Sequence, residues 1–346
     1  MNKILLIASY KGSKYELEIK SKITRIIGKS ATGKTSLSVA FSRTERSLTG
    51  YTLLGLKGYN ITSAIVGNES TFAEAIRKYK NHILIIDEEY MDEMRSYEVA
   101  LAIQQNTSCY FIIMGRGEYP GLNIDIDSIC QFELINGVNV LKRGIECQTD
   151  VRHAVNFTHC VMEDTGKAFA WCSTLMRNSL EVIPAKSGKE TFCDTVRDVL
   201  ENNPDAMILM LFDRVSFGNC YTEYKKLIDM YGSRLFVLND YRSWEYLMLK
   251  TNMFKSRFVA YSIDTGLFEE RYYEELLRKV SLSRFGTIKH EGGNLSKCYT
   301  EPCCAFSSGT NRDCSFGLAA GSEKDKFIDL LKGTEFQSLL KISGRL

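Results

Sequence analysis

Residues 28–35, Gly28-Lys29-Ser30-Ala31-Thr32-Gly33-Lys34-Thr35, match the pattern GxxxxGK[ST] at every fixed position. Gly28 and Gly33 let such a loop curl so that successive backbone N–H groups, including those of Ser30, Ala31 and Thr32, point inward at phosphate oxygens. Lys34 then reaches the β- and γ-phosphates of a triphosphate, and the Thr35 hydroxyl can ligate Mg²⁺. Further along, four consecutive aliphatic residues, Ile83, Leu84, Ile85 and Ile86, run into Asp87, Glu88 and Glu89. A buried strand there brings Asp87 to its carboxyl end, where a carboxylate can join a Mg²⁺ shell. An acidic cap on the helix that follows is the structural alternative. A second group of acids, Glu163 and Asp213, also closes apolar runs, as expected of a site at the carboxyl edge of an open α/β sheet.

The elements that must position these residues are legible in outline. Residues 3–9 and 14–20 read as a hairpin across Lys11-Gly12-Ser13, with Tyr15, Leu17 and Ile19 on one face. A strand from Ile23 enters the glycine loop, and Leu37, Val39, Ala40 and Phe41 suit a helix whose amino end faces the bound anion. Residues 61–66 predict another strand, 70–80 a helix, 83–86 and 109–116 two buried strands, and 131–142 a hairpin turning at Asn136-Gly137. The first 145 residues therefore read as one parallel-sheet nucleotide domain.

With strand before and helix after, the loop resembles that of the P-loop NTPases, and the apolar run ending at Asp87 resembles their Walker B strand. The leading hairpin is similar to the entry of ABC-type ATPases. That resemblance implies ATP as ligand, Mg²⁺ held by Thr35 and Asp87, and Glu88 as the base that activates the attacking water, with Glu89 as the neighbouring candidate. It also places Arg116 where related ATPases carry a γ-phosphate sensor; a surface arginine after a strand is the alternative. The chain departs from ABC ATPases in three ways. Between Thr35 and Ile83 there is too little sequence for their helical lobe, nothing resembles LSGGQ, and no histidine follows the Walker B strand.

From residue 155 the pattern restarts. Apolar runs at 157–162, 180–184, 206–212 and 234–238 alternate with helical spacing, which predicts a second parallel α/β unit to about residue 265. Glu163 after the first run, Gly188-Lys189 after the second and Asp213 after the third resemble the order in the Toprim fold of primases, topoisomerases and OLD-family nucleases. The resemblance implies a catalytic Glu163, and Mg²⁺ held by Glu163 and Asp213 against a phosphodiester. Val215 occupies the second aspartate position of the family's DxD, and Asp164, Glu223 or Asp240 could substitute. A Rossmann-like domain with acids at strand ends for solubility is the alternative. The order ATPase then Toprim is similar to OLD-type nucleases.

Composition bounds the remainder. At 44% hydrophobic and 25% charged residues the chain reads as soluble, and no apolar run nears the length of a membrane span. Residues 1–10 read as a first strand rather than a signal peptide. Cys109, Cys130, Cys160 and Cys172, four of eleven cysteines, lie in apolar runs, as reduced thiols of a cytoplasmic protein would. Residues 1–60 carry eleven Lys/Arg against three Glu, a net of +8, which serves phosphates, a nucleic-acid backbone or a solvated face. Residues 266–346 read as a helical tail, with amphipathic stretches at 268–280 and 322–342. Between these, Cys298, Cys303, Cys304 and Cys314 either enclose Zn²⁺ or are free thiols.

The expectation is thus an α/β protein of two parallel-sheet domains, 1–145 and 155–265, with a cysteine-containing tail. It binds and hydrolyses ATP with Mg²⁺, and its nucleotide state controls a Toprim-like domain acting on DNA or RNA as a defence-type nuclease. The alternative is a nucleotide-controlled switch with a silent second domain that binds nucleic acid, a partner protein or another copy of itself.

Overall fold

The computed structural model describes residues 4–28, 32–42, 45, 48–64, 71–115, 119, 121–147, 156–165, 167–176, 179–238, 241–250, and the positions 257, 259, 260 and 276. The chain divides into two compact units. Among the described residues, the first takes in the chain to Glu146 with Val215–Asn219; the second takes in the remainder from Cys147.

The first unit opens with β1 (Ile4–Tyr10) and β2 (Ser13–Ile19), paired antiparallel across Lys11 and Gly12, both at positive φ (46° and 84°). That backbone matches the twist of a tight hairpin. Next come β3 (Ile23–Ile27), α1 (Lys34–Ala40), β4 (Gly50–Leu54), β5 (Asn60–Ser63), α2 (Phe72–Lys78) and β6 (His82–Ile86). A 3-10 turn (Glu88–Tyr90), α3 (Met91–Met94), α4 (Tyr97–Gln105) and β7 (Tyr110–Met114) follow. The unit closes with β8 (Ile129–Ile135) and β9 (Val138–Arg143).

These nine strands form one sheet in the order β4-β1-β2-β9-β8-β3-β7-β6-β5. Strands β8, β3, β7, β6 and β5 are mutually parallel. β2 also pairs with β9 in parallel, but the parallel-sheet expectation holds only in part: β4 with β1, β1 with β2, and β8 with β9 are antiparallel, so the sheet is mixed. Two-residue connections at Lys11-Gly12 and Asn136-Gly137 force that sense, because a parallel pair needs a long crossover. Strand β4 has no counterpart among the expected strands. It is a largely exposed edge strand, with only Leu53 half-buried against the core and Tyr51 meeting Phe41 at 5.6 Å, so its Tyr-Thr-Leu-Leu carries no clear alternation to read. Strand β7 is buried along its whole length, as a strand covered on both faces must be. Ile83, Ile85, Ile112 and Met114 join Leu6, Leu17, Ile26, Leu37 and Phe41 in one core, while Leu84, Ile86, Phe111 and Ile113, of opposite parity, are buried as well.

The second unit runs β10 (His159–Met162), α5 (Lys167–Met176), β11 (Glu181–Pro184), α6 (Lys189–Asn202), β12 (Ile208–Leu211), α7 (Tyr221–Tyr231), β13 (Leu235–Val237) and α8 (Trp244–Lys250), while the 3-10 segment between β12 and α7 (Arg214–Cys220) has its central residues Val215–Asn219 in the first unit. Its four strands are all parallel in the order β11-β10-β12-β13. The first and third strands in sequence are therefore neighbours, and chain connections leave that pair in opposite directions. Phe212 packs between Phe192 of α6 and Tyr224 of α7, with tilted rings and centroids 5.1 and 5.4 Å away.

Part of the basic excess of the first sixty residues is turned inward or paired, while Lys14 and Lys57 are exposed. Lys22, Arg25 and Lys34 are buried, and Lys11 and Lys20 pair with Glu45 and Glu18 at 3.5 and 3.8 Å. Cys109, Cys130, Cys160, Cys172 and Cys193 are buried free thiols. No helix among the described residues is long and apolar enough to cross a membrane. The expected tail helices and Cys298, Cys303, Cys304 and Cys314 lie outside the described residues, as do Lys29, Ser30, Ala31, Arg116 and Asp240.

Candidate functional site

The first site grows from the end of β3. Gly28 takes φ 136° and Gly33 takes φ 86°, conformations that side-chain-bearing residues rarely adopt. Gly33 caps α1, its carbonyl accepting the Leu37 N–H at 3.0 Å, so the helix begins at Lys34. Lys34 is only 7% exposed, and its ammonium turns back to donate to Gly28 O at 2.7 Å and to Thr32 Oγ1 at 3.3 Å. The positive charge is thus held against Gly28 and Thr32, at the start of α1. Thr35, one residue into the helix, is exposed.

Behind the loop stands Tyr15 of β2, fully buried, its hydroxyl donating to Gly33 O at 3.3 Å. Phe132 meets its ring edge-on at 5.7 Å. The alternation of β2 marked Tyr15 as inward-facing, but nothing local marked its bond to the glycine.

Asp87 follows β6, the second strand from β3, with β7 between them. Two strand spacings separate the glycine loop's strand from that of Asp87 by about 10 Å. Asp87 is half-buried; its Oδ1 accepts the Glu88 N–H at 2.8 Å and caps the 3-10 turn. The capping alternative is therefore realised, and the capping bond accounts for one Asp87 oxygen. Glu88 and Glu89 are exposed at the head of that turn. Mg²⁺ needs only one or two protein oxygens and fills its shell with water and substrate phosphates.

Between these strands β7 ends at Gly115, whose N–H donates to Ile26 O at 3.3 Å. A Cβ on Gly115 would lie 2.6 Å from the Tyr119 hydroxyl and 3.4 Å from Met91 Sδ. The Arg25 guanidinium faces the Tyr119 ring at 5.4 Å. Burial pushes the Tyr119 phenol above its ordinary range, and Arg25, Glu88 and Arg95 are the charges it feels. Arg25 and Tyr119 were not among the expected site residues: a lone arginine inside an apolar strand and a tyrosine in a loop carry no periodic signal.

In the second unit, Met162 pairs with Leu211, so β10 and β12 deliver Glu163 and Asp213 side by side. The Asp213 N–H donates to Glu163 Oε2 at 2.7 Å, and the Glu163 N–H to Leu211 O at 2.9 Å. Both acids and Asp164 are half-buried. Close by is Tyr241, whose phenol is pushed well up by burial first and then by the negative charges of Asp164 and Asp213; Glu245, at the start of α8, adds to them. Of the proposed substitutes for the second aspartate, Asp164 follows Glu163 directly and is half-buried like it. Glu223 instead pairs with Lys226 at 2.7 Å and Arg197 at 3.5 Å, and Lys226 holds its carboxyl below the usual range. Val215 is 1% exposed.

Gly188, at φ 61°, opens α6 at Lys189. A cavity of about 470 Å³ lies between β11 and α6, lined by His159, Glu181, Lys186, Thr191 and Asp194 among others. Glu163, Asp164 and Asp213 do not line it. No group of three or more His, Cys, Asp or Glu converges as a metal site among the described residues.

No family model matches the chain, and no curated protein matches it.

Proposed function

We propose that this protein binds and hydrolyses ATP at the glycine loop of its first unit, and that nucleotide state controls the second, Toprim-like unit in acting on nucleic acid. The observation that carries the reading is the Lys34 ammonium held across a loop framed by Gly28 and Gly33, at the carboxyl end of a parallel strand and the start of a helix. Loop amides and Lys34 bind phosphates; Thr35 and Asp87 are the residues that would hold Mg²⁺; Glu88 orients water. Bound Mg²⁺ supplies neutralisation of the charge that builds on the phosphate oxygens.

Glu163 and Asp213, with Asp164 beside them, support a nuclease. Val215 favours the second reading, a nucleotide-controlled switch, because a buried aliphatic side chain replaces the second DxD carboxylate. The deciding test incubates the protein and its Glu163→Ala variant with plasmid and single-stranded DNA in Mg²⁺ or Mn²⁺, with and without ATP. A nuclease gives cleavage that responds to ATP and disappears in the variant. Intact ATP hydrolysis with no cleavage of either substrate establishes the switch.

A further inference from the structure

The chain that carries Asp213 leaves the second unit immediately afterwards. Asp213 and Arg214 belong to the second unit, Val215–Asn219 to the first, and Cys220 to the second again. Connections between elements usually run exposed over a surface and tolerate side chains of many sizes. This one is buried at Val215, Ser216 and Phe217. The Gly218 N–H donates to Ile124 O at 2.8 Å, and Asn219 Nδ2 donates to Leu122 O at 3.0 Å. Gly218 leaves no room for a larger residue: a Cβ would lie 2.5 Å from Ile124 O and 2.7 Å from Ile124 Cβ.

The two ends of this anchorage lead toward the two proposed sites. Leu122 and Ile124 follow β7; the Leu122 N–H donates to Tyr119 O at 2.9 Å, and the Tyr119 hydroxyl fills the space beside Gly115. The Gly115 N–H in turn donates to Ile26 O at 3.3 Å, next to the residues that enter the glycine loop. In the other direction, only Arg214 separates Val215 from Asp213. Arg214 is itself held, its N–H donating to Arg242 O at 2.9 Å and its guanidinium to Leu238 O at 3.2 Å. Little slack is left, so a displacement of the anchored segment reaches the Asp213 N–H, which donates to Glu163 Oε2 at 2.7 Å.

Resting on the proposed control of the second unit by nucleotide, we infer that Val215–Asn219 is the strap through which that control passes. Nucleotide at the glycine loop shifts the end of β7 and the Leu122 and Ile124 carbonyls, the strap follows, and the Asp213 N–H is reset against Glu163. Gly218 and Asn219 are positioning residues in this device. Val215, where the DxD pattern has an aspartate, begins the buried run that anchors it. Coupling of this kind needs a contiguous set of packed and hydrogen-bonded groups with two arrangements.

The experiment compares the full-length protein with Asn219→Ala, which removes only the side-chain bond to Leu122, and with Gly218→Ala, which sets a methyl against Ile124 O. Amide hydrogen exchange at the Leu122 and Asp213 N–H groups is read by mass spectrometry with and without Mg²⁺ and a non-hydrolysable ATP analogue, beside the melting-temperature shift that the analogue produces. In the wild type the analogue is expected to change exchange at both amides by at least about 5-fold, the lower end of ordinary coupling. In the variants the melting shift and the Leu122 response persist, while the Asp213 response falls below about 2-fold. An Asp213 response in Asn219→Ala equal to that of the wild type overturns the inference, whether or not Gly218→Ala folds. Loss of the melting shift or of the Leu122 response in Asn219→Ala also overturns it, because the residue then supports the first unit as a whole. A wild type whose melting temperature ignores the analogue defeats the nucleotide reading and this inference with it; a wild type that binds the analogue without a response at Asp213 overturns the inference alone.

Discussion

Replacing Lys34 with alanine separates the fold of the glycine loop from its chemistry. In the nucleotide-free protein the ammonium donates to Gly28 O at 2.7 Å and to Thr32 Oγ1 at 3.3 Å. A bond to a charged group contributes about 1.5–3 kcal/mol. Relief of the buried charge and alanine's better helix propensity act in the opposite sense. The nucleotide-free variant is therefore expected to melt within about 3 °C of the wild type, since about 1 kcal/mol moves a domain of this size by that much. With phosphate bound the balance changes, because removing one preorganised donor from a developing charge costs about 10²–10³ in rate. Affinity falls too. At ATP concentrations of about 100 times Kd the wild type gains about 2.7 kcal/mol, or about 8 °C. A variant binding about 100-fold more weakly gains about 0.4 kcal/mol at the same concentration, or about 1 °C. The assay pairs thermal melts, with and without Mg²⁺ and ATP, with phosphate release. A variant that keeps both the ATP-induced shift and normal turnover would refute the assignment of this loop.

Two further outcomes follow from other parts of the molecule. Burial pushes the Cys130 thiol in the first unit and the Cys193 thiol in the second from about 9 up to about 12. These raised values stabilise the fold fully below about pH 9 and progressively less as pH rises through about 12, because the unfolded thiols ionise first. By about pH 10 each thiol is expected to have lost about 1.4 kcal/mol of its contribution; urea midpoints measured at about pH 8 and pH 10 check this, and Cys130→Ala should flatten the decline. Gly115→Ala drives a methyl to 2.6 Å from the Tyr119 hydroxyl and should destabilise by about 1–3 kcal/mol. Adding Tyr119→Phe removes the clashing oxygen, so the double variant should recover stability; simple additivity of the two effects would show that the clash is relieved elsewhere.

Much of the chain is locally determined. Gly28 and Gly33 adopt backbone angles that few other residues tolerate, Asn136-Gly137 turns a hairpin at φ 51° and 79°, and the run from Ile83 to Ile86 is apolar because both faces of its strand are covered. Each of these signals lies within one element, so composition and spacing suffice to read the strand, loop and helix around Lys34, and the strand ends that carry Asp87, Glu163 and Asp213. Pairing between distant segments carries no such signal. Only the assembled sheet sets β7 between β3 and β6, giving the loop and Asp87 their separation, and only there does β4 find its edge. The same holds for side chains whose role depends on a neighbour far along the chain. Lys22 turns inward to the Gln104 carbonyl, Arg25 meets Tyr119, and Glu223 is taken by Lys226 and Arg197. Sequence fixed which groups the chain possesses at its strand ends; long-range packing, by choosing which buried charges share a space, decided which of them can work together.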